Sequence, residues 1–239
     1  MKILVLAAHP DDEVLGMGGL LKKFSKREHE IKVVFLATGI MARRSNDYNN
    51  SAKYNINDKL VNDMGKQISN LQEDAKKALS FLDIKNIQFE DFPDNEMDKV
   101  SNLEITKKIE SIIDKFVPDT IYTHSQHDIN VDHRKIYEAT ITASRPKKNS
   151  NVKDVISFEV PSSTEWYFPQ QFSPNIFVDI SKELKFKLKA MQAYKNELQE
   201  FPHPRSIEAL EIIAKRWGTV CGFDAAEAFC LVRSLIKNN

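Results

Sequence analysis

Lys2-Ile3-Leu4-Val5-Leu6-Ala7-Ala8-His9-Pro10-Asp11-Asp12-Glu13 is the stretch on which the fold turns. Six consecutive apolar residues, two of them β-branched, are too few for a buried helix and suit a strand covered on both faces. An imidazole and three carboxylates stand directly behind that run. Carboxylates crowded at the mouth of an apolar element repel one another and lose hydration, so a bound cation or a catalytic task is the usual reason to find them there.

Outward from this block, apolar runs alternate with segments of helical period, the pattern of a mostly parallel α/β sheet flanked by helices. Strands are expected at 3–8, 31–38, 87–89, 120–123, 155–160 and 176–180. Helices are expected at 12–25, 59–81, 103–116, 131–144, 182–200 and 206–216, and residues 228–232 fit either state. Phe92-Pro93-Asp94-Asn95 reads as a turn, and the polar stretch 41–57 as a surface loop after a strand end, where such folds keep substrate contacts. Repeats, low-complexity tracts and Gly/Ser linkers are missing, so residues 1–239 read as one domain.

Composition narrows the function classes. Thirty-four Lys+Arg against 34 Asp+Glu leave no net formal charge, which argues against nucleic acid or anionic lipid as partner and for a small, locally charged ligand. Cys221 and Cys230 have no metal-type spacing and read as buried thiols of a reducing compartment. The N-terminal apolar run is shorter than a signal sequence and meets His9 and Asp11 without a cleavage region, and no stretch approaches the ~20 residues of a membrane span. A soluble, cytoplasmic protein is expected, with a homo-oligomer left open.

A second cluster, His124-Ser125-Gln126-His127-Asp128-Ile129-Asn130-Val131-Asp132-His133-Arg134, follows the strand containing Ile121 and Tyr122. Two such clusters at the carboxyl ends of parallel strands converge above the sheet. His9, Asp12 and His133 then offer two nitrogens and one oxygen at about 2.0–2.2 Å, the ligand set of a catalytic zinc with a position open for water, which iron or manganese would also accept. With Asp12 on the metal, adjacent Asp11 points elsewhere and can serve as general base; the plain alternative is that both aspartates cap the following helix.

The Ala8–Glu13 block together with Asp132-His133-Arg134 resembles the PIG-L/LmbE-like N-deacetylases, zinc enzymes acting on N-acetylglucosamine-type sugars and conjugates. Phe92–Asn95, Glu159–Trp166, His203–Ser206 and Ala226–Phe229 extend the resemblance over essentially the whole chain. It implies a Rossmann-like fold, His9, Asp12 and His133 as zinc ligands, and Asp11 as base. It also implies a histidine where this chain has Asn130, and an amide carries no positive charge. Asn130, His127, His124 and His203 are therefore the candidate transition-state helpers. Arg43, Arg44, Asn95, Glu165 and Trp166 are candidate substrate contacts, the arginines suiting a phosphate-linked sugar. The expected reaction is removal of an acetyl group from an N-acetylated sugar or sugar conjugate. A two-metal phosphoesterase, with Asp128 as its spare carboxylate, and a non-catalytic sugar- or nucleotide-binding protein are the alternatives.

Overall fold

A computed structural model describes residues 1–39, 58–148 and 150–236. Seven strands form one sheet in the order β3-β2-β1-β4-β5-β7-β6: β1 (Lys2–Ala7), β2 (Glu30–Ala37), β3 (Asn86–Phe92), β4 (Thr120–His124), β5 (Asp154–Phe158), β6 (Ile176–Asp179) and β7 (Ala226–Ser234). The first five are parallel, and β7 runs antiparallel between β5 and the edge strand β6. The helices are α1 (Asp12–Lys26), α2 (Asp58–Phe81), α3 (Asn102–Phe116), α4 (Val131–Ala143), α5 (Leu184–Met191) and α6 (Ile207–Cys221).

The alternation of side chains along a strand explains why the first run is apolar throughout. Ile3, Val5 and Ala7 enter the core shared with α1 and α2, whereas Leu4, Leu6 and Ala8 enter the core shared with α3 and α4. Val33 and Phe35 against Val34 and Leu36 repeat the division in β2. Strand order reverses between neighbours β1 and β4, because the chain builds β2 and β3 on one side and β5 on the other. Such a switch point opens a crevice at the strands' carboxyl ends, and both charged clusters of the sequence lie there.

Local signals set several helix boundaries. Ser101 and Ser206 accept the N–H groups of Glu104 and Ala209 at the starts of α3 and α6, and Gly222, at φ 80°, ends α6. Gly16 is required by close approach: a Cβ there would lie 2.4 Å from the Phe158 ring and 2.8 Å from the Glu159 carbonyl.

Tertiary structure changed two expected elements and settled a third that fitted either state. The helix expected at 182–200 stops at Met191, since the chain turns to bury Tyr194, whose hydroxyl donates to Glu13 at 2.6 Å. Phe92 closes β3 rather than opening the turn, and residues 226–234 are a strand paired with both β5 and β6. Both cysteines are free, as expected, but half-buried rather than buried. Among the described residues no helix is long and apolar enough to cross a membrane.

One buried polar knot shapes α1. The helix is interrupted at Met17, and the N–H groups of Gly19 and Leu20 donate to the Glu227 carboxylate of β7 at 2.9 and 2.7 Å. Lys187 completes it, 2.7 Å from Glu227 and donating to the Leu15 carbonyl at 2.8 Å. Glu227→Ala leaves the Lys187 ammonium buried without its counter-charge and two N–H groups without their acceptor, so an expected loss of about 3–5 kcal/mol follows, read as a fall in unfolding midpoint in urea. An unchanged midpoint would refute this account of the interruption.

Candidate functional site

His9 leaves β1, Asp12 is the first residue of α1, His124 ends β4 and His133 lies in the first turn of α4, so four elements meet at one point. The Asp12 Oδ2 atom is the centre. It accepts the His9 N–H at 2.7 Å and has His9 Nδ1 at 3.5 Å, His133 Nε2 at 3.4 Å and His124 Nε2 at 3.6 Å around it.

The far nitrogens of His9 and His133 meet carboxylates. His9 Nε2 lies 2.9 Å from Asp94 Oδ1 and 3.0 Å from Asp132 Oδ2, and His133 Nδ1 lies 3.0 Å from Asp128 Oδ2. These carboxylates are themselves fixed: Asp132 accepts the N–H groups of Asn95 and Met97, and Asp128 accepts the Asn130 N–H and the hydroxyls of Ser163 and Thr164. Rings so held direct Nδ1 of His9 and Nε2 of His133 toward Asp12. Burial alone would lower the pKa of both rings, but Asp12 with Asp132 and Asp94 raises that of His9 well above its usual value. Asp12 and Asp128 raise that of His133 to about 9.

The donor set fits a divalent cation. Asp12 Oδ1 and His133 Nε2 are buried without a hydrogen-bond partner, and one ligand atom from each of His9, Asp12 and His133 falls within 4.8 Å of the others. Two atoms each about 2.0–2.2 Å from one tetrahedral ion stand roughly 3.3–3.6 Å apart, the separation seen from Asp12 Oδ2 to both rings. A second grouping, His9 with Asp94 and Asp132, has hydrogen-bonding separations instead.

Residues 4–144, more than half of the chain, match the PIG-L family, described as GlcNAc-PI de-N-acetylase. The chain belongs to the PIG-L family. It is 27% identical to a diacetylchitobiose deacetylase of Thermococcus kodakarensis over 97% of this chain and 83% of that one. In structure it resembles an N,N'-diacetylchitobiose deacetylase from Pyrococcus horikoshii (TM-score 0.74, 22% identity, 97% and 84% of the two chains). It also resembles GalB, a 4-carboxy-2-hydroxymuconate hydratase from Pseudomonas putida (TM-score 0.71, 18% identity, 100% and 98%). A hydratase on the same scaffold means that structural likeness speaks for the fold, and the chemistry rests on the side chains.

In this PIG-L protein Asp11 stands at the N-cap position of α1, yet its side chain makes no capping hydrogen bond. That removes helix capping as its explanation. Burial pushes its carboxyl up to about 7, opposed by Arg205, whose Nη1 lies 3.1 Å from Oδ2, and reinforced by Asp12 and Glu13.

The four candidate helpers occupy different surroundings. His124 stacks on His133 with ring centroids 3.9 Å apart and accepts the Ala8 N–H on Nε2; burial, then the charge of His133, holds it neutral. Asn130 caps α4 by accepting the Asp132 N–H and donates to Asn95 Oδ1. His127 pairs with Gln126 and stacks near Tyr167. His203 accepts the Arg205 N–H on Nδ1, and its ring meets Trp166 edge to face at 6.1 Å.

Among the expected substrate contacts, Trp166 is exposed beside His203. Asn95 is engaged with Asp94 and Asn130, and the Glu165 carboxylate accepts the N–H groups of Ser162 and Ser163. Arg43 and Arg44 lie outside the described residues. Sequence reading passed over Asp94, Asp132, Glu13, Tyr194 and Arg205 as site residues. Asp132, beside His133 in a helix's first turn, and Glu13, in the first charged block, carried usable signals; Asp94, Tyr194 and Arg205 act across long chain separations.

Glu13 provides a pH test. It is fully buried, and burial raises its carboxyl from 4.5 to about 7 although Tyr194 and the Asp11 N–H donate to it. The folded chain thus binds this proton more tightly than the unfolded chain, so stability falls as pH rises from about 4.5 and levels above about 7. Two and a half units correspond to about 3 kcal/mol. Glu13→Gln is expected to remove that share of the slope in urea unfolding of the ion-free protein at pH 4.5–8; identical slopes would contradict it.

Proposed function

We propose that this protein is a divalent-metal-dependent hydrolase that removes the acetyl group from an N-acetylated sugar or sugar conjugate. The observation that carries the reading is the buried Asp11 carboxylate beside a three-ligand set whose Asp12 Oδ1 has no hydrogen-bond partner. Family membership and the deacetylase relatives support it.

His9, Asp12 and His133 would hold the ion, and two imidazoles with one carboxylate favour zinc. Bound there, it would supply Lewis-acid chemistry at the acetamido group. Asp11 takes the proton of the attacking water and returns it to the amine as the C–N bond breaks, so acetate and a free amine leave. Burial raises the Asp11 carboxyl in the ion-free protein, and a bound dication beside it would favour the carboxylate, the form that accepts a proton. The carboxylates of Asp94, Asp132 and Asp128 keep the ligand rings in direction.

Of the helpers, His203 has the best claim. Its segment reaches Asp11 through Arg205, and with Nδ1 accepting a backbone N–H, a neutral ring carries its proton on Nε2, available to an oxyanion or a sugar hydroxyl. Trp166 beside it offers an aromatic wall for the C–H face of a sugar ring. The phosphoesterase alternative loses its spare carboxylate, because Asp128 is engaged by His133, Asn130, Ser163 and Thr164.

Mass spectrometry of a panel of N-acetylated sugars with zinc-loaded protein is expected to show loss of one acetyl group. Phosphate release from phosphoesters instead, or failure to hold about one equivalent of metal, would overturn the reading. Asp11→Asn is expected to retain metal and lose about 10²–10⁴-fold in turnover, whereas His9→Ala loses metal and turnover together. Wild-type activity in Asp11→Asn would remove the proposed base.

A further inference from the structure

We infer that Arg205 is a positioning residue for Asp11, holding its carboxylate in the direction from which it exchanges a proton; this rests on the reading of Asp11 as the base. Nothing local fixes that side chain. The Asp11 backbone has φ 118°, a region few residues with a Cβ adopt, and its side chain makes no helix cap. Its own N–H donates to Glu13 at 3.1 Å, which secures the backbone and leaves the carboxylate free to turn.

Among the described residues the guanidinium facing the carboxylate is that of Arg205, an ion pair with Nη1 3.1 Å from Asp11 Oδ2. Arg205 is itself held at several points. Nε donates to Ser162 Oγ at 2.6 Å, Nη1 lies 3.3 Å from Glu197 Oε2, and the backbone N–H donates to His203 Nδ1 at 3.1 Å. Ser162 is fixed in turn by the Glu165 carboxylate, which accepts its N–H at 2.6 Å. The planar guanidinium thus joins three chain segments to one oxygen of Asp11. A lysine ammonium, a single point on a flexible stem, cannot reach Ser162, Glu197 and Asp11 together.

With the side chain 26% exposed, the place it occupies is open to a small cation from solvent. That permits a test by replacement. In zinc-loaded Arg205→Ala, metal content is expected to equal wild type, and kcat to fall about 100-fold, the loss typical of a reacting group misplaced by about 1 Å. KM is expected to stay within about threefold. Guanidinium ion added to Arg205→Ala is expected to restore part of kcat and to restore none in Asp11→Asn, while Arg205→Lys stays impaired.

A crystal structure of Arg205→Ala supplies a readout independent of turnover, with the Asp11 carboxylate expected to rotate from its wild-type direction. Should Arg205→Ala fail to fold, Ser162→Ala keeps the charge and removes the Nε anchor, and a smaller fall in kcat at constant KM is expected. An unmoved Asp11, a loss confined to KM, or guanidinium rescue of Asp11→Asn as well would overturn the inference. Should wild type release acetate from no sugar tested, the deacetylase reading falls, and the direction of Asp11 in the Arg205→Ala crystals still decides the hold itself.

Discussion

One oxygen of Asp12 is approached by three imidazoles, from His9, His124 and His133, while it accepts the N–H at the first turn of the chain's first crossover. Placing that carboxylate out of water is costly, and the cost is tolerable only because β1, β4 and α4 deliver their nitrogens to the same point. The requirement runs backward through the fold. The β1–β4 pairing must hold register, α4 must start two residues before His133, and the segment after β3 must arrive under His9. Asp12 is thus where the parallel sheet and the site become the same structural problem.

The surrounding carboxylates solve the next part of it. An imidazole offers two nitrogens, and only one can face the centre; the other needs a partner or the ring turns. Asp94 and Asp132 take Nε2 of His9, Asp128 takes Nδ1 of His133, and backbone and hydroxyl donors fix the carboxylates. His124 fills a different role, a neutral plate against His133 that also receives the Ala8 N–H where β1 ends. The polar network is therefore layered, each shell restricting the rotation of the one inside it.

The segments 162–166, 194–197 and 201–206 lie against the outer side. They come from beyond the region matched to the family, and they bring Tyr194 to Glu13 and Arg205 to Asp11. A truncated helix is the visible consequence: α5 ends early so that Tyr194 can turn inward, a tertiary hydrogen bond overriding the helical pattern of residues 182–200.

What the sequence determined by itself is the parallel α/β sheet and the two charged clusters at its strand ends. Ile3 to Ala8 reads as a strand buried on both faces, and the block from His9 to Glu13 behind it reads as a site. Those inferences use neighbours in the chain, where spacing and burial are coupled directly. Tertiary structure decided which side chains meet around the centre: that Asp94 and Asp132 reach His9 Nε2, that Asp128 meets the His133 ring, and that Arg205 faces Asp11 from 194 positions away. No local pattern encodes such pairings, because a hydrogen bond between distant residues depends on the packing of every element between them, and only the folded chain fixes that distance.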